Sequence, residues 1–182
     1  MPRKTAKTGN HAKRRLVTLL TTGAAVALLA VGGLAWWGYS FASSNVHNEL
    51  AAQKIYFPPK GSPALDPKVY PDLQQYAGQM VDDGVKAKAY ANGFIGRHLE
   101  EIAGGKTYAE VSTLAMADPG NQKLQQQKEL LFQGETLRGL LLGDAYAFWT
   151  IGQIAKIVAL IAFSAAGLLI LFTLFKAWRP TR

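Results

Sequence analysis

The chain has 182 residues, 49 % apolar and 18 % charged, with a net charge of +8 and no cysteine. The missing cysteine excludes disulfides, thiolate metal sites, covalent haem attachment and thiol nucleophiles together. The positive charge is terminal: 1–15 carry six bases and 176–182 carry three, with no acid in either, whereas 42–155 hold all twelve acids against ten bases. Basic tails beside apolar runs read as a membrane orientation signal rather than as a nucleic-acid interface.

The first apolar run, Leu16 to Phe41, is 26 residues without a charge. As a helix it reaches about 39 Å, enough to cross a hydrocarbon core of about 30 Å with tilt. Trp36, Trp37 and Tyr39 mark its far end, where amphipathic rings favour the interface. A cleaved signal peptide is the rival reading, with Ser40-Phe41-Ala42 as the small-x-small triplet. Signal apolar regions run about 7–15 residues, so a retained anchor is expected. Small residues at helical spacing (Gly23, Ala27, Ala30) predict a face for close helix packing.

Residues 42–70 read as an extended, proline-rich connector. Pro58, Pro59, Pro63, Pro67 and Pro71 fall within 17 residues from Ile55, which favours polyproline-like backbone. Tyr56, Phe57 and Tyr70 are the side chains available to pin it down, and the strip could also dock a partner. A helical domain is expected over 71–153. Pro71 suits a first helical position, predicting a helix to about Met80. A second helix follows Asp82-Asp83-Gly84, with Ala87, Ala91, Phe94, Ile95, His98, Leu99 and Ile102 on its apolar face, and ends at Gly104-Gly105. Thr107-Tyr108-Ala109-Glu110 fits a capping box. It opens a third helix with inner residues Tyr108, Val111, Leu114 and Ala115, stopped by Asp118-Pro119-Gly120. A fourth helix starts near Asn121 with Leu124, Leu130, Leu131, Leu137, Leu140 and Leu141 on one side. Gly134, Gly139 and Gly143 weaken it locally. It feeds the second apolar run, Ile157 to Phe175, bracketed by Lys156 and Lys176 and by Trp149 and Trp178. Ala155, Ala159, Ala162 and Ala166 predict its packing face. Strand signals are nearly absent, with no sustained alternation and no Asn-Gly or Asp-Gly hairpin between β-branched runs.

The expected class is therefore all-α: transmembrane helices at 16–41 and 154–176 flanking an extracytoplasmic bundle, with cytoplasmic tails 1–15 and 177–182. The tails face anionic lipid headgroups in a plasma membrane. The chemistry-bearing residues are sparse. Gly104-Gly105-Lys106-Thr107 has the end of a phosphate loop, but Glu100 stands where the loop needs its first glycine; a helix stop followed by a helix start explains the same four residues. His11, His47 and His98 are scattered. His98 and Glu101, at i and i+3, are two ligands where a metal site needs three or more, so His98 reads as a packing residue of the helical core. Glu135 and Arg138 form an i,i+3 pair, and Asp144 reads as a solvated interfacial carboxylate, with a buried or partner-facing role as the alternative for both. No catalytic, cofactor or metal residue is assigned.

Phe94-Ile95-Gly96-Arg97-His98-Leu99 with Ala103-Gly104-Gly105-Lys106-Thr107-Tyr108-Ala109-Glu110-Val111-Ser112, and Leu131-Phe132-Gln133-Gly134-Glu135-Thr136-Leu137-Arg138-Gly139-Leu140-Leu141-Leu142, resemble a family of small actinobacterial two-span membrane proteins of unassigned function. Some members carry an aromatic ring-opening dioxygenase label. Extradiol ring opening needs iron held by histidine and carboxylate ligands, and only His47 and His98 lie in the stretch between the spans, so the resemblance implies no catalytic residues here. The expected function is that of a non-enzymatic accessory or scaffold subunit with a membrane protein partner. An extracytoplasmic sensor or ligand-binding module is the alternative, and an enzyme comes third.

Overall fold

The computed structural model describes the backbone of residues 5–178 and the side chains of 12–178. His11 and the tail bases Arg3, Lys4, Lys7, Arg179 and Arg182 lie outside the described side chains, as do the lipid contacts expected of them. Every regular element among the described residues is helical. Two helical stretches, Ala12–Gln53 and Gln122–Trp178, are long and apolar enough to cross a membrane. The chain divides into two compact units: Met1–Phe41 with Gly152–Arg182, and Ala42–Ile151.

In the first unit, helix α1 (Thr5–Gln53) supplies one partner and α6 (Ala147–Trp178) the other. Contacts run antiparallel along them. Thr173 Oγ1 lies 3.1 Å from Thr21 Oγ1, the Phe163 ring meets Gly32, and the Lys156 ammonium sits 5.1 Å from the centre of the Tyr39 ring. The covered positions include Thr21, Ala25, Leu28, Gly32, Ala35 and Tyr39 on α1, and Gly152, Ala155, Ala159, Ala162, Ala166, Leu169 and Thr173 on α6. Both series alternate steps of three and four, the 3.5-residue repeat of a left-handed helix pair. The α6 stripe is the one expected. The α1 stripe is not: Gly23, Ala27 and Ala30 are exposed. Both lines on α1 carry small residues at helical spacing, but only the observed one presents Gly32 to Phe163, and a Cβ there would stand 2.6 Å from the ring.

The second unit opens with the end of α1, which buries Ala42, Val46 and Leu50 at four-residue steps. Residues 42–53 are thus helical, correcting the extended connector expected from 42 to 70. The helix stops at Lys54, held at φ 52°, a left-handed conformation that costs a non-glycine residue about 1 kcal/mol. Beyond it the chain is pinned rather than loosely extended. The Phe57 N–H donates to the Gln79 carbonyl at 2.9 Å and the Val81 N–H to that of Ile55 at 2.8 Å, around an antiparallel bridge between Tyr56 and Met80. Pro63 and Pro71 each open a 3₁₀ turn, Pro63–Leu65 and Pro71–Tyr76, because a fixed φ near −65° fits a first helical position. Phe57, Leu65, Tyr70 and Leu73 are all buried, so this stretch is part of the core. The helix expected from Pro71 to Met80 ends at Tyr76, because Gly78 turns at φ 72° into the bridge.

Asp83 caps α2 (Gly84–Lys88) by accepting from the Lys86 N–H at 2.8 Å. A π segment (Ala89–Ile95) joins α2 to α3 (Gly96–Ala103). The buried residues Ala87, Ala91, Ile95, Leu99 and Ala103 recur every four positions. In a regular α-helix each such step drifts about 40° off the core, since one turn takes about 3.6 residues. The wider π turn takes up that drift. Gly104, at φ 59°, ends α3 as expected. Thr107 and Glu110 form both halves of the capping box on α4 (Tyr108–Ala117). Of its expected inner face, Val111 and Ala115 are buried, whereas Tyr108 and Leu114 are exposed. Asn121 caps α5 (Gln122–Leu140), and a second π segment (Leu141–Tyr146) leads into α6. Gln125 donates to the Ala115 carbonyl at 2.7 Å and Gln127 to that of Ile102 at 2.8 Å, satisfying acceptors in the last turns of α4 and α3.

Candidate functional site

Two grooves of the second unit flank its first π segment. A π turn bonds i to i+5, as the Gly96 N–H does in donating to the Ala91 carbonyl. That carbonyl also accepts from Arg138 Nε at 3.1 Å. The rest of the guanidinium reaches Asn92 Oδ1 at 3.2 Å and both oxygens of Glu135 at 2.8 and 2.9 Å. Arg138 therefore does more than pair with Glu135: it joins α5 to the π segment.

On one side of this segment lies an open groove of about 560 Å³, walled by Asp72, Tyr76, Lys88, Arg97, Tyr146 and Trp149. Arg97 makes a two-pronged contact with Asp72 at 2.8 and 2.9 Å, donates to the Val69 carbonyl at 3.3 Å and lies over the Tyr70 ring. The hydrogen bond from Arg97 holds the Asp72 carboxyl below its ordinary pKa, and the same bond raises that of Arg97. Lys88 donates to the Tyr146 hydroxyl at 3.1 Å and lowers its pKa. Trp149 stacks on Tyr146 and packs so closely on Gly84 that a Cβ there would stand 2.5 Å from the indole. Across Asn92 and Arg97 a second groove, of about 660 Å³, extends to Lys106, Thr107 and Tyr108.

Gly104-Gly105-Lys106-Thr107 closes one helix and opens the next. The Thr107 N–H that a phosphate would use donates instead to Glu110 at 2.7 Å. His98 is exposed and stacks on Phe94, with ring centres 6.2 Å apart. This corrects its expected place in the core: His98 lies one position off the buried line of Ala87, Ala91, Ile95, Leu99 and Ala103. Nδ1 of His47 donates to the Asp82 carbonyl at 3.1 Å, and Asp82 also pairs with Lys86. Burial acts against the Lys86 charge, but Asp82 and Asp83 outweigh it and raise its pKa. Among the described residues no group of three or more His, Asp or Glu converges as a metal site would require.

Sequence reasoning missed Asp72, Lys88, Arg97, Tyr146 and Trp149 as neighbours, since the Asp72–Arg97 ion pair and the Lys88–Tyr146 hydrogen bond join residues 25 and 58 positions apart. The four-residue spacing from Ala87 to Ala103 was the available signal for the π segment that organises them. The arrangement offers donors, acceptors and aromatic faces on an open surface. No family model, curated protein or solved structure matches the chain.

Proposed function

We propose that the chain is a two-span plasma-membrane protein with both termini in the cytoplasm and residues 42–151 outside. There it acts as a non-enzymatic accessory or scaffold subunit for a membrane protein partner. The observation that carries this reading is the antiparallel register of α1 and α6. With Thr21 beside Thr173, the bases Lys13, Arg14, Arg15 and Lys176 belong to one end of the pair, and Tyr39 with Lys156 to the other. Positive charge gathered at one end favours that end facing the cytoplasm. The outward residues of both helices are large and apolar, among them Leu19, Leu34, Trp37, Ile161, Leu168 and Leu171, all more than 60 % exposed. A surface of that kind suits lipid. The groove beside Trp149 favours a second reading, a ligand-binding module outside the membrane.

The test uses the cysteine-free background. Lys123→Cys is expected to react with a membrane-impermeant thiol reagent in intact cells, and Thr5→Cys only after lysis. Labelling of Thr5→Cys alone would reverse the topology. A photo-crosslinking residue at Gln75, on the rim of the groove beside Trp149, then separates a scaffold, which yields one protein adduct, from a ligand-binding module, which yields none.

A further inference from the structure

A different groove lies between the end of α1 and the second π segment, with a volume of about 200 Å³. Along one wall stand Asn45, Glu49 and Gln53, and along the other Leu137, Leu140 and Asp144. Each set recurs at three- or four-residue steps, so each is one ridge of its helix. The floor is the buried trio Val46, Leu50 and Leu141. We propose that this groove receives a helix of a partner membrane protein that carries a lysine or arginine on its apolar face. The proposal rests on the accessory-subunit reading and supplies the chemistry of its partner.

Shape favours a helix. Two helical ridges over an apolar floor are the seat for a third helix that anchors side chains at i, i+3, i+4 and i+7. Leu140, on the rim, is 55 % exposed. From Leu137 to Asp144 the wall runs about 10 Å at helical rise, about two turns of a partner helix.

Charge fixes the partner's chemistry. Glu49 and Asp144 stand on opposite walls, and no basic side chain lines the groove. Neither carboxylate makes an ion pair among the described residues. A wholly apolar helix would strip water from two carboxylates without replacing it, and an acidic one would add repulsion. A lysine or arginine on the docked face offers these carboxylates an opposite charge.

The experiment places a photo-crosslinking residue at Leu140 of the full-length chain in its native membrane. The expected product joins Leu140 to an apolar partner helix bearing a lysine or arginine within one turn of the crosslinked residue. Its yield falls about tenfold or more in Glu49→Lys/Asp144→Lys, and changing the partner's base to glutamate restores it. Unchanged thermal unfolding in detergent shows that the charge-reversed chain still folds; if it does not, Glu49→Gln/Asp144→Asn takes its place, with the same loss of yield expected. Crosslinking to a second copy of this chain, to lipid or to nothing, or a yield insensitive to the charge changes, overturns the proposal. Thiol labelling of Lys123→Cys in the same cells reads the underlying topology separately, so failure of the groove and failure of the two-span reading give different results.

Discussion

The Phe163 ring fills the notch that Gly32 leaves on the facing helix, and a Cβ at Gly32 would stand 2.6 Å from it. The ring is rigid, so a larger residue at Gly32 must displace it or push the helices apart. Thr21→Cys with Thr173→Cys is expected to form a disulfide on mild oxidation, since the two hydroxyls lie 3.1 Å apart. Adding Gly32→Leu is expected to suppress it, because overpacking costs about 1–3 kcal/mol. Gly33→Leu, where a Cβ would meet no packing neighbour within 4 Å, is expected to leave the disulfide intact. Gel mobility with and without reductant reads all three.

Gly134 serves the second unit in the same way. A Cβ there would stand 2.5 Å from the Leu99 side chain, so the residue that weakens α5 on propensity is the one that lets α3 pack on it. Gly134→Ala gains helix propensity of about 1 kcal/mol and is nevertheless expected to lower stability, since the steric cost of about 1–3 kcal/mol exceeds that gain. Leu99→Ala in the same chain removes the clash. Thermal unfolding of both singles and the double is expected to show the double less destabilised than the sum. Additive losses would mean that the two residues do not meet.

Local chemistry was legible in the sequence where it acts within a few residues. The Thr107–Glu110 box, the Gly104 stop and the Asn121 cap each need only side chains reaching their own backbone. The α6 stripe was legible because alanine marks its packed line. The α1 stripe was not, since an all-apolar helix offers two lines with small residues and the choice belongs to Phe163 on the other helix. Proline count suggested a loose connector because it ignores where the rings fall: two prolines open 3₁₀ turns, and the buried Phe57, Leu65 and Tyr70 carry the stretch into the core. The groove residues were illegible for a similar reason, as Asp72 meets Arg97, and Lys88 meets Tyr146, only after the helices have packed.

The Arg97–Asp72 pair gives stability a pH dependence of known sign. The Asp72 pKa in the folded chain lies below its ordinary 3.8. The unfolded chain therefore takes up a proton first as pH falls. The pair's contribution is present above about pH 4 and is lost as pH drops through the lower, folded value. Both side chains are partly exposed, so the effect is at most about 1 kcal/mol. Chemical denaturation from pH 6 to pH 3 is expected to show a shallower acid loss in Asp72→Asn than in the native chain. Equal slopes would mean that the pair does not act in solution.

Arg138 makes the sharpest test of the π segment. Its Nε donates to the Ala91 carbonyl, and its two terminal nitrogens hold Asn92 and Glu135. Arg138→Gln is expected to cost about 1–3 kcal/mol, the price of leaving polar groups at a packed interface short of partners. Arg138→Lys is not expected to recover this, because a point-charge ammonium cannot reach three acceptors in the plane of a guanidinium. Glu135→Gln leaves the bonds to Ala91 and Asn92 in place, so its loss should be smaller, a few tenths of a kcal/mol as for an exposed i,i+3 pair. Amide hydrogen exchange supplies the readout that a general loss of stability would not give. In Arg138→Gln the amides of 89–96 should lose protection while those of the α4 capping box keep theirs. Uniform loss across both would mean that Arg138 supports the whole unit rather than the π segment.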